Sequence, residues 1–83
     1  MNYETIPVAL LSGLTRYVND RIATGGFLRA VLENDLFGAH AKADPDSLAA
    51  LPALMRYIYN EVEPGTCWGS PEAVAAWLAE KPS

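Results

Sequence analysis

The 83-residue chain holds one histidine, His40, and one cysteine, Cys67, and these two bound its chemistry. A nucleophile needs a base to activate it and a third group to orient that base. Ser12, Ser47, Ser70 and Cys67 would each have to recruit the same His40. His40 and Asp44 stand four apart and could meet on a helical turn, but Gly38 and the helix cap at Asp44 interrupt that turn. His40 therefore reads as a solvated or locally bonded side chain with no catalytic role. Cys67 lies just before a helix start, a place that can lower a thiol pKa. It sits between Thr66 and Trp68 with acids nearby and no adjacent lysine, which points to a structural thiol. Metal binding needs several ligands converging on one point, and dispersed carboxylates around one histidine and one cysteine predict none. Glu33/Asp35, Asp44/Asp46 and Glu61/Glu63 are the local acid pairs that glycoside chemistry would use, and cap and surface roles account for them. Gly25-Gly26 ahead of a helix exposes N–H groups to an anion, but no strand precedes it and the rest of a nucleotide loop is missing. The reading is a protein with no catalytic residues and no cofactor.

The elements that position these residues are all helical. Proline, glycine and short polar residues divide the chain into four helical patterns, about 7–19, 26–37, 45–61 and 71–80, with no alternating run of strand length. The fold class is all-α, a single domain forming a compact bundle of four to five short helices. The first helix takes Thr5 or Ile6 as its cap and Pro7 in its first turn, with Leu11, Leu14 and Val18 on one face, widened by Val8, Leu10 and Tyr17. Gly13 costs roughly 1 kcal/mol against Ala in mid-helix, which a close helix crossing would explain. In the second helix Phe27, Leu28, Val31, Leu32 and Leu36 form the stripe, Arg29 and Glu33 face out, and Gly38 marks a bend. Asp44-Pro45-Asp46-Ser47 is a strong helix start: cap acceptor, proline at the first position, acid at the positive end of the dipole. Leu48, Leu51, Met55 and Ile58 then repeat as its apolar face. Pro52 cannot donate to the Leu48 carbonyl and predicts a kink or a fresh start near Leu51. Ser70-Pro71-Glu72 starts the last helix, with Val74, Trp77 and Leu78 buried and Lys81-Pro82-Ser83 frayed.

Composition narrows the partners. Hydrophobic residues make up 51% and charged residues 19%, enough apolar side chains to offset the entropy of ordering. A chain this short leaves much of its apolar surface uncovered, which favours association with itself or with another protein. Six basic against ten acidic residues give a net charge of −4, the wrong sign for gripping phosphates, so direct nucleic-acid binding is disfavoured. An acidic surface is steered instead toward a basic partner, including a protein that itself holds nucleic acid. One cysteine excludes an internal disulfide. No apolar run approaches a membrane span, and Met1-Asn2-Tyr3-Glu4 lacks the basic flank of a secretory signal. The expected location is cytoplasmic, away from membranes.

The aromatic residues offer binding anchors. Trp68, two residues before a helix cap, either folds onto the core near Val74 and Trp77 or projects as an anchor. Tyr57 and Tyr59 flank Ile58 and cannot both point where it points, so one of them suits an interface rim. Asp44, Asp46, Glu61 and Glu63 bracket the ends of the third predicted helix, either as capping and solvating residues or as a recognition surface.

The run Gly25 to Leu36 (GGFLRAVLENDL), then Ala43-Asp44, Tyr57-Ile58-Tyr59-Asn60 and Cys67-Trp68-Gly69-Ser70-Pro71-Glu72, resembles short uncharacterised proteins encoded in bacteriophages and prophages, over residues 6 to 80. Pro52 departs from the helix-compatible residue that the resemblance implies there. The resemblance carries no catalytic residue, and a shared origin is not a function. What it implies is a small phage-type protein of the bacterial cytoplasm that works by protein contact. Its expected role is to inhibit a host nucleic-acid-handling defence complex in the manner of anti-CRISPR proteins. Asp44, Asp46, Glu61 and Glu63 would then engage a basic groove while Tyr59 or Trp68 supplies the apolar anchor. The alternative is a phage accessory or regulatory protein that self-associates or docks on replication or packaging machinery.

Overall fold

The computed structural model describes residues 6–63 and 65–80. Among them are five α-helices and no strand: α1 Val8–Asp20, α2 Gly26–Leu32, α3 Leu36–Lys42, α4 Pro45–Glu61 and α5 Pro71–Ala79, with a 3-10 turn Gly65–Cys67 ahead of α5. The bundle is all-α, as its helical spacings predict. Among the described residues no helix is long and apolar enough to cross a membrane.

Helix α1 begins one residue later than the sequence suggests. Pro7 is the cap, not Ile6, and its carbonyl accepts from Leu10 and Leu11 at 3.0 and 3.2 Å; Thr5, the other expected cap, lies outside the described residues. Leu14 and Tyr17 are buried, Leu10, Leu11 and Val18 pack partly against the core, and Val8 projects into solvent. Gly13 faces Leu28 so closely that a Cβ there would sit 3.3 Å from Leu28 Cδ1. The close crossing that excuses a mid-helix glycine is therefore with α2.

The second predicted helix is two helices, and the bend lies at Asn34 instead of Gly38. Asn34 adopts a left-handed backbone with φ 63°. Its N–H donates to the Val31 carbonyl at 3.1 Å and that of Asp35 to Ala30 at 2.8 Å, the bond pair of a Schellman stop. Asp35 then caps α3, its Oδ1 accepting from the Gly38 N–H at 3.0 Å. A Cβ on Gly38 would lie 2.7 Å from Asp35 Cγ, so the glycine makes room for the cap. Leu36, placed on the buried stripe by spacing alone, is turned outward by this break.

Helix α4 runs unbroken for 17 residues through Pro52, with no fresh start at Leu51. Asp44 caps it, Oδ1 accepting from the Ser47 N–H at 2.7 Å. Its buried face is Ser47, Ala50, Leu51, Leu54 and Ile58, rotated from the predicted one. Leu48 and Met55 lie outside it. Ser70 caps α5 by accepting from the Ala73 N–H at 3.0 Å. Val74 is fully buried, with Trp77 and Leu78 packed partly against the core. The frayed ending expected at Lys81-Pro82-Ser83 lies outside the described residues.

Long-range ties close the bundle. Trp77 Nε1 donates to the Tyr17 carbonyl at 2.8 Å. The Arg21 guanidinium lies 3.7 Å above the Trp77 ring and reaches Glu80 at 3.3 Å. The buried Tyr17 hydroxyl donates to the Cys67 carbonyl at 2.7 Å. Burial, then the Cys67 thiol, push the Tyr17 pKa up to about 12.

Candidate functional site

Helix α4 carries two apolar stripes, and it can turn only one of them inward. Leu51, Leu54 and Ile58 take the core side. Leu48, Pro52, Met55 and Tyr59, spaced four, three and four apart, share a second face, and all four are exposed. Leu48 and Met55 are 42% and 49% exposed and Tyr59 76%. Beside this seam, the Asn34 stop turns Leu36 and Phe37 outward, the latter 88% exposed. Isolated exposed apolar residues are ordinary, and a row of them at helical spacing is a candidate contact surface.

Two hollows adjoin the seam. One, of about 100 Å³, is lined by Val31, Asn34, Asp35, Leu36, Ala39, Leu51 and Met55. The other, of about 130 Å³, is lined by Val31, Asn34, Met55, Ile58, Trp68 and Gly69. They meet at Val31, Asn34 and Met55, forming a shallow apolar groove along α4 whose one charged wall residue is Asp35.

Trp68 takes a position between its two sequence readings. It packs partly against the core while its ring meets Tyr59 edge-on, centroids 6.3 Å apart. Gly69, with φ 113°, makes the turn that sets it there, and the Gly69 N–H donates to the Leu32 carbonyl at 2.7 Å. The Trp68 indole N–H is buried, and no group among the described residues accepts from it. Buried donors of this kind ordinarily find an acceptor.

The four acids do not form one surface. Asp44 and Asp46 stand at the start of α4 and Glu61 at its end, 17 residues or about 25 Å apart at 1.5 Å per residue. All are exposed, as is Glu63. The Ser47 N–H and hydroxyl hold the Asp44 carboxyl below the usual carboxylate range. Glu61 and Glu63 line a separate cleft of about 330 Å³ against α1, with Thr15, Val18, Asn19 and Tyr57. Residues two apart on a helix point about 200° apart, so Tyr59 and Glu61 look to opposite sides of α4. Tyr57, half-buried, goes with the acidic cleft and Tyr59 with the groove.

Cys67 and His40, the residues that could do chemistry, share none of these hollows. Cys67 is fully buried, and burial pushes its thiol pKa up. His40 is exposed on α3, and neither lines any of these hollows. Among the described residues no three His, Cys, Asp or Glu side chains cluster as metal ligands would.

Around the seam, Leu48, Met55, Leu36 and Phe37 are surface residues that sequence reasoning assigned to the core or passed over, as Val8 is on α1. The signal available for α4 was the presence of two apolar stripes where one suffices. For α3 it was Asn34-Asp35, a left-handed stop followed by a cap.

Compared with known proteins, the chain matches no family model, no curated protein and no solved structure.

Proposed function

We propose that this protein acts by protein contact in the bacterial cytoplasm, as a phage-type inhibitor of a host nucleic-acid-handling defence complex. The observation that carries the reading is the seam Leu48–Pro52–Met55–Tyr59, with Trp68 set edge-on to Tyr59, on an acidic chain. An apolar centre with an aromatic pair is the composition of a binding hot spot. The net charge of −4 turns that surface toward basic proteins and away from nucleic acid itself. The phage resemblance of the GGFLRAVLENDL and CWGSPE stretches selects defence machinery among such partners.

The test is to express the protein in a bacterium whose CRISPR system targets a phage and to measure how efficiently that phage plates. The expected result is restored plating, lost when Tyr59 and Trp68 are both changed to Ala in a variant that still folds. Unchanged plating across representative DNA-targeting systems overturns the inhibitor reading.

A further inference from the structure

The seam on α4 has a length, a shape and a charge setting, and together they select one kind of occupant. From Leu48 to Tyr59 it rises about 16 Å, three turns of helix, and its four residues keep the spacing with which one helix packs along another. Its charge setting is acidic: Asp44 continues the seam one turn before Leu48, Asp35 stands in the groove wall, and the chain as a whole is at −4. Arg56, the one base on α4, stands four residues after Pro52 and three before Tyr59 and borders one edge of the seam.

A second copy of the chain fits this surface poorly. Each copy would bring a net charge of −4 to the contact, and parallel pairing would set Asp44 beside Asp44, both of which oppose self-association.

We propose that the face of α4 formed by Leu48, Pro52, Met55 and Tyr59 receives an amphipathic helix of a partner protein, its apolar side bordered by lysine or arginine. This rests on the protein-contact reading above and adds which surface binds and what it binds. The partner's apolar residues lie along the seam, one entering the hollow at Met55, and its basic residues meet Asp35 and Asp44. Tyr59 and Trp68 close one end.

The test uses the full chain and two synthetic peptides of about 14 residues, about four turns, with leucines at helical spacing and either lysine or glutamate elsewhere. Binding is read by anisotropy of the labelled peptide, and self-association by sedimentation. The lysine peptide binds one-to-one and the glutamate peptide at least tenfold more weakly. Met55→Glu is the deciding variant, because it adds a negative charge while spoiling the apolar seam. Seam docking predicts at least a tenfold loss of lysine-peptide binding, whereas attraction by net charge alone predicts no loss or a gain. Tyr59→Ala, at a highly exposed side chain, gives a second reading if Met55→Glu fails to fold.

Lysine-peptide binding that survives both variants overturns the proposal, as does its absence. A dimer of the chain alone that Met55→Glu dissolves also overturns it, making a second copy the occupant. If the lysine peptide does not bind, or binds Met55→Glu and Tyr59→Ala as well as the parent, and phage plating is still restored, the surface assignment falls and the inhibitor reading stands. If the seam binds the lysine peptide and plating is never restored, the inhibitor reading falls and the seam stands.

Discussion

The Tyr17 hydroxyl donates to the Cys67 carbonyl at 2.7 Å, joining residues 50 apart in the chain. Both residues are buried, and the bond pins the turn carrying Trp68 to the last turn of α1. Position 67 thus contributes its backbone to the fold while its thiol stays sealed from solvent.

Tyr17→Phe leaves that carbonyl buried without a donor and is expected to cost about 1–3 kcal/mol. The Tyr17 pKa is raised to about 12, so the unfolded chain releases this proton first. Its contribution is complete below pH 10 and is lost as pH rises toward about 12. Cys67, also raised by burial, adds a loss beginning near its ordinary 9.0. Denaturant titrations across alkaline pH should show Tyr17→Phe falling less steeply than the parent above pH 10. Parallel curves would refute the assignment.

Gly38 and Asp35 should couple. Alanine in place of a helical glycine ordinarily stabilises by about 1 kcal/mol, but here a Cβ displaces the Asp35 carboxylate from its cap position. Gly38→Ala is expected to yield no net gain in melting temperature. Asp35→Ala should cost about 1 kcal/mol in the parent and close to nothing in the Gly38→Ala background. Additive effects in the double-mutant cycle would show that the cap survives the methyl group.

Gly69 holds φ at 113°, where L side chains are strained whatever the space around them. Gly69→Ala is expected to destabilise by about 1–3 kcal/mol. The variant should also shift tryptophan emission, since the turn sets the Trp68 ring against Tyr59. An unchanged melting curve together with an unchanged spectrum would contradict the role given to this turn.

Asp44 adds to the stability of α4 through its negative charge. Its folded pKa lies below the ordinary 3.8, so its contribution is complete above the unfolded pKa and disappears as pH falls through the folded one. Asp44→Asn, which keeps a capping oxygen without the charge, should make stability less sensitive to acid across that window. The check is unfolding by circular dichroism from neutral to acid pH in both proteins.

Much of this molecule is legible from local chemistry. Asp44-Pro45 and Ser70-Pro71 announce two helix starts, and the caps form where those residues stand, because capping is decided within four residues of chain. The all-α class follows from apolar spacing in the same way, and the fit of Gly13 against a neighbouring helix follows from its missing side chain. The bend was misplaced because Gly38 is the more conspicuous helix breaker, while Asn34 stops α2 through a left-handed backbone that Asn tolerates.

The exposed apolar face was not legible, and the reason lies in α4. Its sequence supplies Leu48–Pro52–Met55–Tyr59 and Leu51–Leu54–Ile58 as two stripes of similar apolar character. Nothing within the helix says which goes inward. That choice belongs to α1, α2 and α5, whose Leu14, Leu32 and Val74 are fully buried in the same core. The same packing sends Tyr59 and Glu61 to opposite sides of one helix and brings Trp68 up to Tyr59. Residue types and caps were thus set locally along the chain. Which apolar face meets solvent was decided by tertiary packing, since burial is a property of neighbours remote in sequence.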